Sequence, residues 1–122
     1  MTDKISKNFY RSEFTCPCGC DNGRPVVDAE LIKVLEEIRE HFGNNPISIN
    51  SGHRCETYNS TVKGAAPYSQ HIREGVAADI IVHKTPANKV QDYLLNRFKD
   101  RFGIGCYRSY THIDVREERA RW

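Results

Sequence analysis

Two imidazoles and one carboxylate lie in motifs that could bring them to a single metal ion. His71 and Asp79 belong to residues 69–79 (SQHIREGVAAD), and His112 lies in residues 111–114 (THID). Imidazole nitrogens and carboxylate oxygens bind zinc at about 2.0–2.2 Å, and three protein ligands leave a fourth position for water. Because a metal lowers the pKa of its water to about 7, these ligand types favour hydrolysis.

The elements that would position these ligands are predicted to be strands. Residues 76–82 (VAADIIV) are small and branched, which is typical of a buried strand, and Asp79 lies inside that run. A carboxylate there is costly to bury unless it is paired or binds a metal. A second predicted strand, 110–115, places Tyr110, His112 and Asp114 on one face, because side chains alternate along a strand. It would pair with residues 103–107.

The remaining pattern predicts two helices and one more strand. Apolar residues recur at helical spacing in residues 27–42, with Asp28 as the N-cap and Gly43 as the stop. A second helix is expected over residues 86–98, capped by Thr85. The alternating residues 46–52 read as a strand. We therefore predict one small α+β domain, residues 1–122, with an antiparallel sheet flanked by helices and with 1–13 and 117–122 as flexible ends.

Composition and charge exclude several classes of protein. With 39% hydrophobic and 28% charged residues, the chain is in the ordinary globular range. A net charge of +2, spread among acidic residues, gives no reason to expect nucleic-acid binding. Without an apolar stretch of about 18 residues or a signal-like N-terminus, we expect cytoplasmic synthesis without a signal peptide and no membrane insertion. We also expect a monomer.

The five cysteines leave a second metal site open. Three of them form the run CPCGC (16–20), which is too tight for easy internal pairing, so a disulfide framework is not expected. One interpretation is reduced thiols in a packed turn. The other is a thiolate-bound zinc, although the spacing is not the usual pair separated by two residues. The candidate ligands for that zinc are Cys16, Cys18 and Cys20 with Cys55, Cys106 or His41.

Three motifs taken together resemble the M15 zinc peptidases, which include D-alanyl-D-alanine carboxypeptidases, dipeptidases and phage endolysins that cut peptidoglycan stem peptides. They are SGHR (51–54), the run from SQH to GVAADI (69–80) and HID (112–114), and the likeness extends from about Phe14 to Arg116. The resemblance implies a Hedgehog/D-Ala-D-Ala-peptidase-like fold, peptidoglycan stem peptide as the substrate and action on the cell wall after release.

The same resemblance implies roles for individual residues. It makes His71, Asp79 and His112 the ligands of one Zn2+ per chain. It makes Arg54 the cation that holds a substrate carboxylate or steadies the oxyanion, a role that suits the guanidinium fork. Ser69 would bond the substrate backbone, or would only cap its loop.

Two departures from the M15 pattern limit this transfer. Three residues, 72–74, separate His71 from Gly75 where the family commonly has two. The family also has an acidic residue three positions before the last histidine, where this chain has Ser109. The general base is therefore open. Asp114 could take the proton or only orient an imidazole. Glu74 is another candidate base, and Tyr110 could bind substrate or an oxyanion.

Two other functional classes use the same kinds of metal ligand as the peptidase. Two histidines and a carboxylate also form the facial triad of non-haem iron oxygenases, but those enzymes need a second histidine well downstream, and none follows His112. A non-catalytic zinc module that binds cell-wall peptide or a protein partner would use the same ligands without a base. The sequence does not distinguish cleavage of D-Ala-D-Ala from cleavage of L-Ala-D-Glu.

Overall fold

The protein is an α+β domain in a computed structural model that describes residues 4–16, 18, 27–52 and 76–122. Two α-helices and five strands are present in this part of the chain. In chain order the elements are a 3-10 helix Arg11–Phe14, α1 Ala29–His41, β1 Ile47–Ser51, β2 Ala77–Val82, α2 Ala87–Arg97, β3 Gly103–Cys106, β4 Thr111–Asp114 and β5 Ala120–Arg121.

Helix α1 begins and ends as its sequence predicts. The Asp28 side chain accepts a hydrogen bond from the backbone N–H of Glu30 at 2.8 Å, which satisfies one of the free donors of the first turn. After the helix, Gly43 has a φ of +73°, a conformation that glycine adopts without the strain of a Cβ. The predicted cap and stop are therefore both confirmed.

The predicted cap of helix α2 is wrong. The N-cap of α2 is Pro86, and no side chain caps the helix there. The hydroxyl of Thr85 instead donates to the carbonyl of His83 at 3.4 Å, within its own turn. A threonine hydroxyl bonds to nearby backbone as readily as to a helix N-terminus. The position of Thr85 before the helix therefore could not show which of these two bonds it forms.

The strands form one sheet in the order β1-β2-β4-β3-β5. The first four pair antiparallel, including the predicted hairpin between β3 and β4. Strand β5 pairs parallel with β3, with Gly103 opposite Ala120 and Ile104 opposite Arg121, so the sheet is mixed rather than wholly antiparallel.

The core lies between the two helices and one face of the sheet. Alternation along β2 and β4 sends Ala78, Ile80 and Ile113 to this face, where they are buried. Helix α1 supplies one apolar stripe and α2 another, at the spacing expected of amphipathic helices. The helical residues buried in this core are Leu31, Val34, Leu35, Ile38, Val90 and Leu94.

The described parts of both chain ends contact the rest of the fold. Near the start, Phe9 is buried, and the Asn8 backbone and amide donate to the Glu36 carboxylate at 2.8 and 2.6 Å. Near the other end, the Arg121 guanidinium donates to backbone carbonyls, among them that of Phe102 at 2.7 Å. Residues Ala120–Arg121 form an edge strand because their backbone pairs with β3.

In the described part of the chain, no helix has the length and apolar character needed to span a bilayer.

Candidate functional site

A row of residues crosses the face of the sheet opposite to the core. The strand register pairs Ser51 with Asp79, Asp79 with His112, and His112 with Gly105. Directly opposed residues on neighbouring strands have their side chains on the same face. The row therefore brings Asp79 and His112 together, although 33 positions separate them in the chain.

Asp79 and His112 are in direct contact. Oδ1 of Asp79 lies 3.0 Å from Nδ1 of His112, and the two side chains are 16% and 7% exposed. A carboxylate in an otherwise apolar strand needs such a partner, because an isolated buried charge is costly. The structure thus joins two of the three predicted metal ligands, which lie on β2 and β4.

Asp114 contacts the other ring nitrogen of the His112 imidazole. Its Oδ2 atom lies 2.7 Å from Nε2 of His112, two residues earlier on β4. The Asp114 side chain is fully buried, and the backbone N–H of Gly103 donates to its Oδ1 atom at 3.2 Å. A Cβ on Gly103 would lie 2.3 Å from Oδ2, so only a glycine leaves room for the carboxylate.

The guanidinium of Arg116 completes the surroundings of Asp114. Its Nε donates to Oδ1 at 2.7 Å and its Nη2 donates to Oδ2 at 2.8 Å, which is the bidentate geometry of a strong arginine–carboxylate pair. The backbone N–H of Arg116 donates to Oδ1 as well, at 3.2 Å. Asp114 is therefore bonded on both oxygens and is screened from solvent.

These contacts set the charge of the site. Burial alone would raise the pKa of Asp114, but the hydrogen bonds from His112 and Arg116 outweigh it and hold the pKa well below its usual range. Burial would likewise lower the pKa of His112, yet the bonds to Asp114 and Asp79 raise it overall. Since ionised Asp114 can only accept, Nε2 of His112 carries the hydrogen and Nδ1 faces Asp79.

The remaining predicted site residues divide into two groups. Tyr110 immediately precedes β4, and its ring stacks on that of Tyr107 with centroids 4.4 Å apart. The others fall outside the described residues. Within residues 4–16, 18, 27–52 and 76–122, no three His, Cys, Asp or Glu side chains are arranged to hold a metal ion. The predicted site residues that lie outside the described part of the chain are Arg54, Ser69, His71 and Glu74.

Two of the cysteines proposed for a second metal lie side by side. The Sγ atoms of Cys16 and Cys18 are 3.3 Å apart, and Cys16 is buried while Cys18 is exposed. Cys106 is an exposed free thiol. Cys20 and Cys55 lie outside the described residues, so the choice between a packed turn and a thiolate zinc site stays open.

Sequence reasoning missed Arg116 and Gly103. Arg116 is two residues beyond Asp114 in the sequence, and its guanidinium reaches back to that carboxylate. The signal for it was an acidic residue and an arginine at i and i+2. Gly103 carried no local signal, because it meets Asp114 only through the pairing of β3 with β4.

Comparison with protein-family models matches residues 7–114 to the model described as Peptidase M15. The match spans β2 and β4 and the motifs around residues 51–54 and 69–80. No curated protein matches the chain.

Proposed function

The chain belongs to the peptidase M15 family, and from this premise we propose that it is a zinc-dependent peptidase that cuts peptidoglycan stem peptides. The observation that carries the proposal is the contact of Asp79 with Nδ1 of His112, at 3.0 Å, while Asp114 holds Nε2. Metal-binding histidines usually have this arrangement, in which a carboxylate fixes the imidazole from its far side.

The donors on the two strands fit a zinc ion. A tetrahedral zinc with bonds of about 2.0–2.1 Å holds neighbouring donor atoms roughly 3.3 Å apart. Nδ1 of His112 and Oδ1 of Asp79 are 3.0 Å apart, so a small movement would admit the ion between them. Asp79 and His112 would hold the metal, with His71 as the third ligand on the strength of the sequence motif. A bound zinc would supply a Lewis acid and an acidified water.

Asp114 is proposed to orient His112 rather than to act as the general base. A general base must reach the proton that it removes. Both Asp114 oxygens already accept hydrogen bonds from His112, Arg116 and Gly103, and the side chain is fully buried. Its lowered pKa also makes it a weak base. The Arg116 guanidinium keeps Asp114 ionised, and Asp114 keeps the hydrogen of His112 on Nε2.

The other roles in the reaction are assigned from the sequence. Arg54 would bind the carboxylate of a substrate or the developing oxyanion through its fork. Ser69 would bond the substrate backbone. Glu74, next to the His71 motif, is the remaining candidate for the general base, and Tyr110 is a candidate oxyanion donor. The substrate would be a short peptide with D-amino acids, cut as a D-Ala-D-Ala carboxypeptidase or as an L-Ala-D-Glu endopeptidase.

A non-catalytic zinc module that binds cell-wall peptide is the second candidate. It is favoured by the inaccessible Asp114 carboxylate together with Ser109 at the position where the family commonly has an acid. Such a module would retain zinc and bind stem peptides without cutting them.

Metal analysis with a turnover assay tests the proposal. The purified protein should contain zinc and should cleave either a stem peptide ending in D-Ala-D-Ala or one containing L-Ala-D-Glu. A chelator should stop cleavage, and zinc should restore it. His71→Ala and Asp79→Ala should lose both zinc and activity, while Asp92→Ala, on the exposed side of α2, should keep both. Activity that survives in Asp79→Ala would contradict the proposal, and zinc with peptide binding but no cleavage would favour the module.

A further inference from the structure

Exposed aromatic side chains border the imidazole of His112. Trp122 and Tyr107 are 46% and 39% exposed, which makes them two of the large hydrophobic side chains that reach solvent in the described part of the chain. The Trp122 ring centroid lies 4.9 Å from that of His112. We call Tyr107, Tyr110 and Trp122 the aromatic wall.

The wall lies on the sheet face that carries the proposed ligands. Gly105 is the register partner of His112 on β3, and the indole of Trp122 covers it. A Cβ at Gly105 would lie 2.6 Å from Nε1 of Trp122, so the bare backbone allows the indole to lie against the strand. Parallel pairing fixes the Trp122 backbone, whose carbonyl accepts from Cys106 at 2.7 Å.

Polar contacts hold the three rings in place. Nε1–H of Trp122 donates to the hydroxyl of Tyr107 at 2.8 Å, and the rings of Tyr107 and Tyr110 stack with planes 7° apart. Behind them, the buried Gln91 amide donates to the backbone carbonyls of Tyr107 at 2.8 Å and Tyr110 at 3.2 Å. The wall is thus built before any ligand arrives, which reduces the entropy that binding would cost.

Arg116 links the wall to the ligand-orienting carboxylate. Its guanidinium carbon lies 5.4 Å from the centre of the Trp122 ring, within the range of a cation–π interaction. The same guanidinium donates hydrogen bonds to the Asp114 carboxylate. The indole is therefore held from the backbone, from Tyr107 and from Arg116. Rigid aromatic rings with a bonded polar edge and an exposed face are typical of recognition surfaces.

We propose that Trp122 and Tyr107 form one wall of the substrate cleft and contact the peptide residue next to the scissile bond. The inference rests on the proposed function, because a peptide whose carbonyl reaches a metal held by His112 must pass within a few ångströms of these rings. The flat, apolar face suits a small aliphatic side chain such as the methyl group of alanine. The wall would therefore set the affinity for substrate rather than the chemical step.

Kinetics of wall variants test this role. Trp122→Leu should raise KM about tenfold, which is about 1.4 kcal/mol of binding, and leave kcat within about twofold, because tryptophan is enriched among the few recognition residues that contribute most of the binding energy. Tyr107→Phe, which removes only the hydroxyl that orients the indole, should raise KM less. Tyr10→Phe is the matched control, since Tyr10 is 47% exposed and lies in the N-terminal bridge with Lys4. Unchanged KM in folded Trp122→Leu would overturn the proposal.

Fluorescence of the unaltered protein gives a second measurement. Trp122 is the only tryptophan in the chain, so intrinsic emission reports this ring alone. Titration of the zinc-free protein with an uncleaved stem peptide should give a saturable change in emission. Peptide binding seen by calorimetry without any change in emission would overturn the proposal, even if the Trp122 variants fail to fold.

Two further outcomes distinguish failure of the proposed function from failure of the role proposed for the wall. If the wild-type protein neither binds nor cleaves stem peptides, the proposed function fails and the wall fails with it. If the wild-type protein cleaves peptides but Trp122→Leu weakens only substrates that carry an attached sugar, the wall binds glycan and the assignment to the peptide is overturned.

Discussion

Oδ2 of Asp114 lies 2.7 Å from Nε2 of His112, on the side of the ring opposite to Asp79. One imidazole is thus held between two carboxylates with different surroundings. Asp114 is fully buried and paired with arginine, whereas Asp79 retains 16% exposure. Asp79, the less buried of the two, is the carboxylate that we propose as a metal ligand, and the buried Asp114 is the one that fixes the ring.

Asp114→Asn should weaken zinc binding. Loss of a carboxylate that orients a metal-binding histidine typically costs 10- to 100-fold in metal affinity or activity. Competition with a chelator of known affinity measures the effect, and Asp92→Asn on the exposed side of α2 is the control. If Asp114→Asn bound zinc normally but lost all turnover, Asp114 would act on the water and the orienting role would be wrong.

Arg116→Lys should lower both stability and zinc affinity, while keeping the positive charge. An ammonium group cannot reproduce two parallel bonds to one carboxylate, so the Asp114 carboxylate would be less well fixed. We expect a loss of about 1.5–3 kcal/mol in unfolding free energy, the range for hydrogen bonds to charged groups. Urea denaturation measures it, with Arg119→Lys as an exposed control. Equal stability of the two variants would count against the arginine–carboxylate clamp.

Gly103→Ala should destabilise the protein by about 1–3 kcal/mol, the usual cost of overpacking. The added Cβ would lie within 2.3–2.6 Å of all three atoms of the Asp114 carboxylate, so either β3 or the carboxylate must move. Thermal unfolding measures the loss, and zinc affinity should fall in parallel. Ser48→Ala, an exposed substitution in β1, should leave both near the wild-type values. A wild-type melting temperature in Gly103→Ala would contradict the predicted clash.

Glu36 should stabilise the fold at neutral pH and lose that effect in acid. Burial would raise the pKa of Glu36, but the hydrogen bonds from Asn8 outweigh it and lower the pKa overall. A pKa lower in the folded state gives stability that is complete above the unfolded value of about 4.3 and disappears as the pH falls through the folded value.

The Glu36→Gln variant tests this pH dependence. It should be less stable than the wild type at pH 7, and the gap should close at pH 3, as measured by urea denaturation. Glu40→Gln on the exposed side of α1 is the control. A gap that stays constant from pH 7 to pH 3 would show that protonation of Glu36 is not involved.

The parts of the fold that local sequence could predict are those with local causes. Helix α1 followed from its apolar spacing, the Asp28 cap and Gly43, and the β3–β4 hairpin followed from two short apolar runs around a turn. Asp79 was recognised because a carboxylate in a buried strand needs a partner. The strand register that places Asp79 opposite His112 was implied only by the resemblance to a family.

Most of the parts that were missed depend on contacts between distant segments. Strand β5 carries no apolar alternation, and it exists because its backbone pairs with β3. The role of Asp114 could not be decided from spacing, since the arginine, the glycine N–H and the burial that fix it come from three separate elements. Thr85 failed as a cap because its hydroxyl had a competing local acceptor.

Two glycines on one face of β3 make room for side chains from other segments, Asp114 of β4 above Gly103 and Trp122, which follows β5, above Gly105. A related chain with a side chain at position 103 or 105 would have no space for the group that lies over that position. Among related chains, we therefore expect paired changes, with the acid at 114 lost when 103 is no longer glycine and the aromatic at 122 lost when 105 is filled. Two positions that carry no side chain would then show which relatives keep the complete site.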